Sequence, residues 1–272
     1  MVTIRLASFD IGRCNFAQYI EEFCSDEIAK LECEYNKLSK SLQRKTKGPM
    51  NTEIEKLLIS TVMCGSRVQT GVYNFTSELQ DEGGWDIRAR MNFLKHLSDF
   101  QYIWDTCDVF VIEQQYFNST SFGNKKKGSA SAGANVDAIK IAEATFLWIL
   151  ERYPFKTITY FGSQYKTQIF GAPWKLNKMQ RKQWAVDQAN NYYLLREDTD
   201  MINLFELTEA VKRKQIKTEE RILEFKNNYP CVTQDGDQLS TKIICNKQKL
   251  DDISDAFMQA QSFKFKNMVG CF

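Results

Sequence analysis

Val109-Phe110-Val111-Ile112-Glu113 is the stretch on which the reading of this chain turns. Four apolar residues in succession, with no polar alternation, mark a strand buried on both faces, as in a parallel sheet. The run ends on a carboxylate, so Glu113 is expected at the strand's carboxyl end. Residues 2–10, Val-Thr-Ile-Arg-Leu-Ala-Ser-Phe-Asp, read as a second strand with Ile4, Leu6 and Phe9 as its apolar positions. That strand also ends on an acid, Asp10, beside the turn-forming Gly12.

Further strands are read at 16–20, 68–75 and 156–161, the last running into Gly162-Ser163-Gln164. Between 26 and 47, Ile28, Leu31, Tyr35, Leu38 and Leu42 recur at helical spacing, predicting one amphipathic arm that stops at Gly48-Pro49. A helix is predicted over 87–105, burying Met91, Leu94, Leu97 and Ile103, and another over 135–151, burying Ile139, Ala142, Phe146 and Ile149. Others are expected at 177–195, around 206–225 and at 250–263, and residues 122–133 read as a mobile, basic loop. Strands alternating with helices argue for an α/β fold, a mixed sheet flanked by helices. The expectation is one domain over residues 1–272, with mostly helical insertions near 21–65 and 197–248.

Composition narrows the function. Of 272 residues, 43% are hydrophobic and 26% charged, which supplies a core and excludes wholesale disorder. No run approaches 18 apolar residues, so no membrane span is expected. The first nine residues resemble neither a signal nor a transit peptide. Eight cysteines without a C-x-x-C, and a single histidine, make a zinc site or a disulfide framework unexpected and point to an intracellular, reducing compartment. That histidine, His96, lies in a helical stretch and reads as an ordinary surface or half-buried residue. Hydrolysis would therefore run on carboxylates and metal rather than on a Ser-His-Asp or Cys-His apparatus.

Charge is unevenly placed. Residues 1–116 are net −4, residues 117–182 net +8 and residues 183–272 net −2. The basic segment interleaves lysines with Tyr116, Phe117, Phe122, Tyr160, Tyr165, Trp174 and Trp184, the composition of a nucleic-acid groove. A solvated basic face with core aromatics is the alternative.

A third acidic group, Asp251-Asp252-Ile253-Ser254-Asp255, opens the last helix, with Asp252 and Asp255 on one face. Oxygen-only donors converging from two strand ends and a helix suit Mg²⁺ or Mn²⁺. Two such ions about 3.5–4 Å apart can activate water and stabilise the leaving oxygen in phosphodiester hydrolysis. Singly, each acid has a plainer role: Asp10 as a turn cap, Glu113 in a salt bridge, Asp251 and Asp252 as helix N-terminal acids.

Ser8-Phe9-Asp10-Ile11-Gly12, Val111-Ile112-Glu113-Gln114-Gln115, Tyr160-Phe161-Gly162-Ser163-Gln164-Tyr165-Lys166 and Asp252-Ile253-Ser254-Asp255-Ala256 resemble, in this order, the motifs of RuvC-like Holliday junction resolvases. The flavour is that of the versions in poxviruses and other large DNA viruses, and the resemblance covers roughly residues 2–20, 66–196 and 248–265. It implies an RNase H-like fold and a homodimer that resolves four-way DNA junctions in recombination and repair. The compartment implied for a viral protein is a viral factory, or the host nucleus or cytoplasm. Asp10, Glu113, Asp252 and Asp255 become the metal-binding tetrad for two Mg²⁺ ions, with Mn²⁺ as a substitute. Lys166 falls near the scissile phosphate, and Lys178 or Lys182 supplies a second basic residue. Tyr116, or failing it Phe117, stacks on an unpaired base, and Lys125, Lys126 and Lys127 join the phosphate contacts. The two insertions depart from the compact family pattern. An actin-like ATPase or sugar kinase also opens with D-x-G, but the later glycine-rich stretches, Gly83-Gly84 and 128–133, have no D-x-G nearby. A non-catalytic binder of branched DNA would be expected to have lost a carboxylate, and all four are present.

Overall fold

The unalternating run at 109–112 is buried from both sides. Val109 and Val111 face one hydrophobic cluster, and Phe110 and Ile112 face another across the sheet. The computed structural model describes residues 2–12, 14–43, 50–76, 85–115, 136–212, 220, 223 and 247–270. Five strands form one mixed sheet: β1 (Thr3–Asp10), β2 (Phe16–Cys24), β3 (Gly65–Tyr73), β4 (Val109–Gln114) and β5 (Thr157–Gly162). Their order is β3-β2-β1-β4-β5. β2 runs antiparallel to β1 and β3, whereas β4 is parallel to both its neighbours, β1 and β5.

Helices cover both faces. In chain order they are α1 (Ser25–Lys37), α2 (Lys40–Gln43), α3 (Thr52–Met63), α4 (Ile87–Asp99), α5 (Gln101–Trp104), α6 (Val136–Arg152), α7 (Tyr165–Gln168), α8 (Lys178–Leu195), α9 (Thr199–Lys212) and α10 (Lys247–Lys264), followed by a π-helical turn, Phe265–Val269. The cluster on one face takes residues from α1, α3, α8, α9 and α10, and that on the other from α4, α5 and α6. Among the described residues no helix is long and apolar enough to cross a membrane.

Several boundaries differ from the sequence reading. The expected arm over 26–47 breaks at Leu38, whose backbone is extended. The carbonyls left at the break are not orphaned: Gln43 Nε2 donates to Tyr35 O at 2.9 Å and to Leu38 O at 3.0 Å. Residues 21–24 belong to β2, so the first insertion begins at Ser25 and ends with α3. α9 starts at Thr199, upstream of the expected helix.

Two helix faces are rotated. α4 buries Ala89, Phe93, His96 and Leu97 and leaves Met91 and Leu94 exposed. The rings of Phe16, Phe75 and Trp85, all within 5.7 Å of Phe93 centre to centre, set that face. α6 buries Ala138, Ile141, Ala142, Thr145, Trp148 and Ile149, and leaves Ile139 and Phe146 only part-buried. His96 is neither a surface nor a half-buried residue. It sits among the rings of Phe16, Tyr73, Phe75 and Phe100, with Nε2 donating to Gln18 Oε1 at 3.1 Å. Burial pushes it down to about 3, so it is a neutral core residue.

Candidate active site

The parallel register pairs Phe9 of β1 with Ile112 of β4, so the next residues, Asp10 and Glu113, leave the sheet side by side. β5 lies beyond β4, and the chain turns at its end through Ser163 and Gln164 into α7. That turn brings Lys166 over both acids. Its ammonium, with the side chain 4% exposed, pairs with Asp10 Oδ1 and lies 2.9 Å from Glu113 Oε1. Glu113 Oε2 accepts from Gln115 Nε2 at 2.7 Å and from the backbone N–H of Ile11 at 3.5 Å. The group stands at the carboxyl ends of three parallel strands, where open α/β sheets receive ligands.

α10 closes the site from above through one polar stripe, Asp252, Asp255, Gln259 and Ser262, at helical spacing. Gln259 Nε2 donates to Phe9 O at 3.0 Å and to Val111 O at 3.2 Å, pinning the helix to the two strands that carry the acids. Ser262 Oγ donates to Tyr165 O at 3.1 Å and ties the same face to α7. Ile253, Ala256 and Phe257 are fully buried and supply the packing. Beside this stripe a cleft of about 320 Å³ opens. Glu113, Lys166 and Asp255 line it, facing Lys178, Arg181 and Lys182 of α8, with Ser163, Gln164 and Thr167 between. Asp251 pairs with Lys182 across α10 and α8.

Charge at the site is out of balance. Burial pushes the Asp10 carboxyl well above the usual range, Lys166 opposes, and Glu113, Asp255 and Asp252 add to the rise. Asp252 is pushed up to about 7 by burial and then by the neighbouring Asp251. Asp255 is raised by burial, with Lys166 opposing and the Glu113 charge adding. Burial pulls Glu113 upward, but the charge and hydrogen bond of Lys166, together with hydrogen bonds from Asp10 and the Ile11 N–H, hold it low. Lys166 itself is raised, because Asp10 and Glu113 outweigh its burial. Lys166 thus serves Asp10, Glu113 and Asp255, with Lys182 adding at Asp255 and Lys249 and Lys182 acting on Asp252.

The structure brings Asp10, Glu113, Asp255 and Lys166 together and sets Asp252 on the same helix face. Lys178 and Lys182 both line the cleft, so the alternative between them stays open. Tyr116, Phe117, Lys125, Lys126 and Lys127, with the whole loop at 122–133, lie outside the described residues. The sequence reading missed Gln259, which no local motif marks, and Arg181, whose place in the cleft follows from the helical phase of α8. It took Asp251 only as a helix N-terminal acid.

The donor set is all oxygen, and Asp252 Oδ2 is buried without a hydrogen-bond partner, which fits a hard divalent cation. Among the described residues no three His, Cys, Asp or Glu side chains form a group that could hold a metal ion. The positive charge between Asp10 and Glu113 is the Lys166 ammonium. Comparison of the chain with protein-family models, curated proteins and solved structures finds no match.

Proposed function

We propose that this chain is a Mg²⁺-dependent DNA endonuclease of RNase H-like fold that resolves four-way junctions as a homodimer. The observation that carries the reading is the buried triad of Asp10, Glu113 and Lys166 at adjacent parallel strand ends, opening on a cleft with a cationic wall. The mixed sheet with acids at those strand ends supports the RNase H-like assignment.

Asp10, Glu113, Asp252 and Asp255 would hold the metal, Mn²⁺ substituting for Mg²⁺, once drawn closer than they stand here, where no three of them form a metal-holding group and the Lys166 ammonium lies between Asp10 and Glu113. When bound, it supplies an activated water and stabilises the departing oxygen. The chain's own residues do the rest. Lys178, Arg181 and Lys182 draw a phosphodiester backbone into the cleft, countering the repulsion the acids impose on phosphate. Lys166 keeps Asp10 and Glu113 side by side. Gln259 fixes the height of α10, and with it Asp255, over the strand ends.

What supports a dimer is the outer stripe of α6: Val136, Lys140, Ala144, Leu147 and Glu151, with Val136 47% and Leu147 60% exposed. Laid antiparallel on a second copy, the stripe sets Lys140 against Glu151 and Ala144 against Leu147. Each pairing then occurs twice, as a two-fold interface requires. Leu147→Glu should turn a dimer into a monomer by sedimentation, and a monomeric wild-type protein would remove this part of the reading.

Incubation with a synthetic four-way junction, a fork and a linear duplex, with and without Mg²⁺, tests the function. Paired nicks in the junction that need Mg²⁺ are expected. No cleavage of any substrate, or cleavage undiminished by a chelator, overturns the proposal.

A further inference from the structure

Tryptophan is large enough that burying its ring removes about 150–250 Å² from water, so one left in solvent asks for a reason. Trp85, Trp104 and Trp148 are buried and Trp184 is half-buried, but Trp174 is 84% exposed. Its backbone is nonetheless held. The N–H of Leu176 donates to Pro173 O at 3.4 Å, closing a turn in which Trp174 is the second residue. Directly after it, Asn177 and Gln180 form a reciprocal cap on α8. The ring is thus presented from an ordered turn, which lowers the entropy lost on contact with a ligand.

Its surroundings are those of a polyanion site. The Lys175 ammonium lies 4.7 Å from the ring centroid. The turn leads into the first turns of α8, whose Lys178, Arg181 and Lys182 line the cleft. From Arg152 to Val186 the chain carries no acidic residue. A protein partner would seat such a ring in an apolar patch, whereas here the Lys175 ammonium lies over the ring and Lys178, Arg181 and Lys182 follow on α8. A phosphate strand satisfies those cations, and a base face satisfies the ring.

We propose that Trp174 is a stacking platform for an unpaired nucleobase of the DNA strand that enters the cleft, with Lys175 and Lys178 on the adjoining phosphates. The base must be unpaired because both faces of a duplex base are already stacked. The proposal rests on the nuclease reading for the identity of the strand, and on Trp174 and its neighbours for the contact.

The test uses the full chain in a chelator, so that nothing is cut, with a labelled oligothymidine and a blunt duplex of equal length as probes. Anisotropy reports binding and intrinsic fluorescence reports the tryptophan. Oligothymidine should bind and quench the emission, the duplex should quench little, and Trp174→Phe should remove most of the quenching. Trp174→Ala should weaken oligothymidine binding by about 5- to 150-fold, the range base–aromatic stacking gives, with the melting temperature unchanged because the ring packs against little. If oligothymidine binds Trp174→Ala as it binds wild type and leaves the emission unaltered, the platform is wrong, while junction cleavage still decides the nuclease reading. If neither probe nor a four-way junction binds at all, the platform falls together with that reading. Quenching by oligothymidine in a protein that cleaves nothing would keep the platform and remove the nuclease.

Discussion

Two ionic clusters lie against α10, one at each end, and they are balanced in opposite ways. At the carboxyl end Glu21 is enclosed by two cations. Lys264 Nζ lies 2.9 Å from its Oε1, and Arg196 Nη2 lies 2.9 Å from its Oε2. Gln261 Nε2 and the Tyr19 hydroxyl also donate to Glu21, at 2.8 and 3.3 Å. Arg196 Nε reaches Val62 O at 2.9 Å, locking the end of α3 to the same cluster. All three charged side chains are at most 5% exposed. At the amino end Asp10, Glu113 and Asp255 gather around Lys166, with Asp252 beside them nearer Lys249 and Lys182, next to an open cleft.

The pKa directions record the difference. Burial would raise Glu21, but Lys264 and then Arg196 outweigh it and hold the acid low. Burial raises Asp10, Asp252 and Asp255; Lys166 opposes it at Asp10 and Asp255, and Lys249 and Lys182 oppose it at Asp252, without offsetting it. The first cluster supplies its buried acid with cations from the protein alone, and its surplus is positive, so burial and the neighbouring Arg196 hold Lys264 below its usual value. In the second, three buried acids stay raised, the kind of perturbation found at functional sites and also in structural ion-pair networks.

If that contrast is right, the largest effect belongs to the Asp10 cluster and is catalytic. Asp10→Asn or Glu113→Gln should abolish junction cleavage while junction binding, read by gel shift on the same preparation, stays near wild type. Losing a carboxylate removes a metal ligand but also removes repulsion towards phosphate. Wild-type cleavage in either variant would show that the two clusters are both structural.

The Glu21 cluster should answer in stability instead. Glu21→Gln leaves Lys264 and Arg196 buried without their anion, a change that costs about 3–5 kcal/mol. Urea unfolding reads the loss. Cleavage per folded molecule, measured well below the melting point, should be unchanged. A variant that folds as wild type but no longer cleaves would make Glu21 part of the site and erase the contrast.

The two clusters were unequally legible. Asp10 and Glu113 announce themselves because a buried strand ending on an acid is a local pattern, whereas only the family resemblance singles out Lys166. Asp252 and Asp255 follow from helical spacing. Nothing local marks Glu21, Arg196 and Lys264, which are separated by 175 and 243 residues and meet only through tertiary packing. Gln259 is similar, since its partners are backbone carbonyls of β1 and β4. The rotated face of α4 has a simpler cause. In the sequence His96 reads as a surface or half-buried residue, yet the rings of Phe16 and Tyr73 bury it and turn its face of the helix inward. The helix break at Leu38 follows from contacts of Gln43 that no periodicity expresses.

A smaller effect is expected from pH. Asp252, pushed up to about 7, keeps in the folded state a proton that the unfolded chain releases near about 4. Between those values the folded state binds more protons than the unfolded one, so stability falls as pH rises and this contribution is gone above about 7. Asp10 and Asp255 act in the same direction. In a chelator the melting temperature should therefore drop from about pH 5 to about pH 8. Asp252→Asn should make that decline shallower without removing it. A slope unaltered by Asp252→Asn would mean that this carboxyl is not raised.

The smallest effect tests the boundary between the clusters, at Asp251. Its side chain is 4% exposed, as in the Glu21 cluster, but its partner Lys182 is 43% exposed and faces the cleft. Water therefore screens the pair, and its worth falls to that of a surface bridge, about 0.2–1 kcal/mol. Asp251→Asn keeps an oxygen for Lys182, so the melting temperature should barely move. The charge it removes is, after burial, the next cause of the raised Asp252. Asp252 should then ionise at lower pH, and the acid limb of the cleavage profile should shift towards lower pH, with the plateau rate kept to the extent that Lys182 stays in place. Cleavage rates and melting curves across pH, on wild type and Asp251→Asn together, read both effects. An unmoved acid limb would uncouple Asp251 from Asp252. A loss of several kcal/mol would class Asp251 with Glu21, as a charge the fold cannot do without.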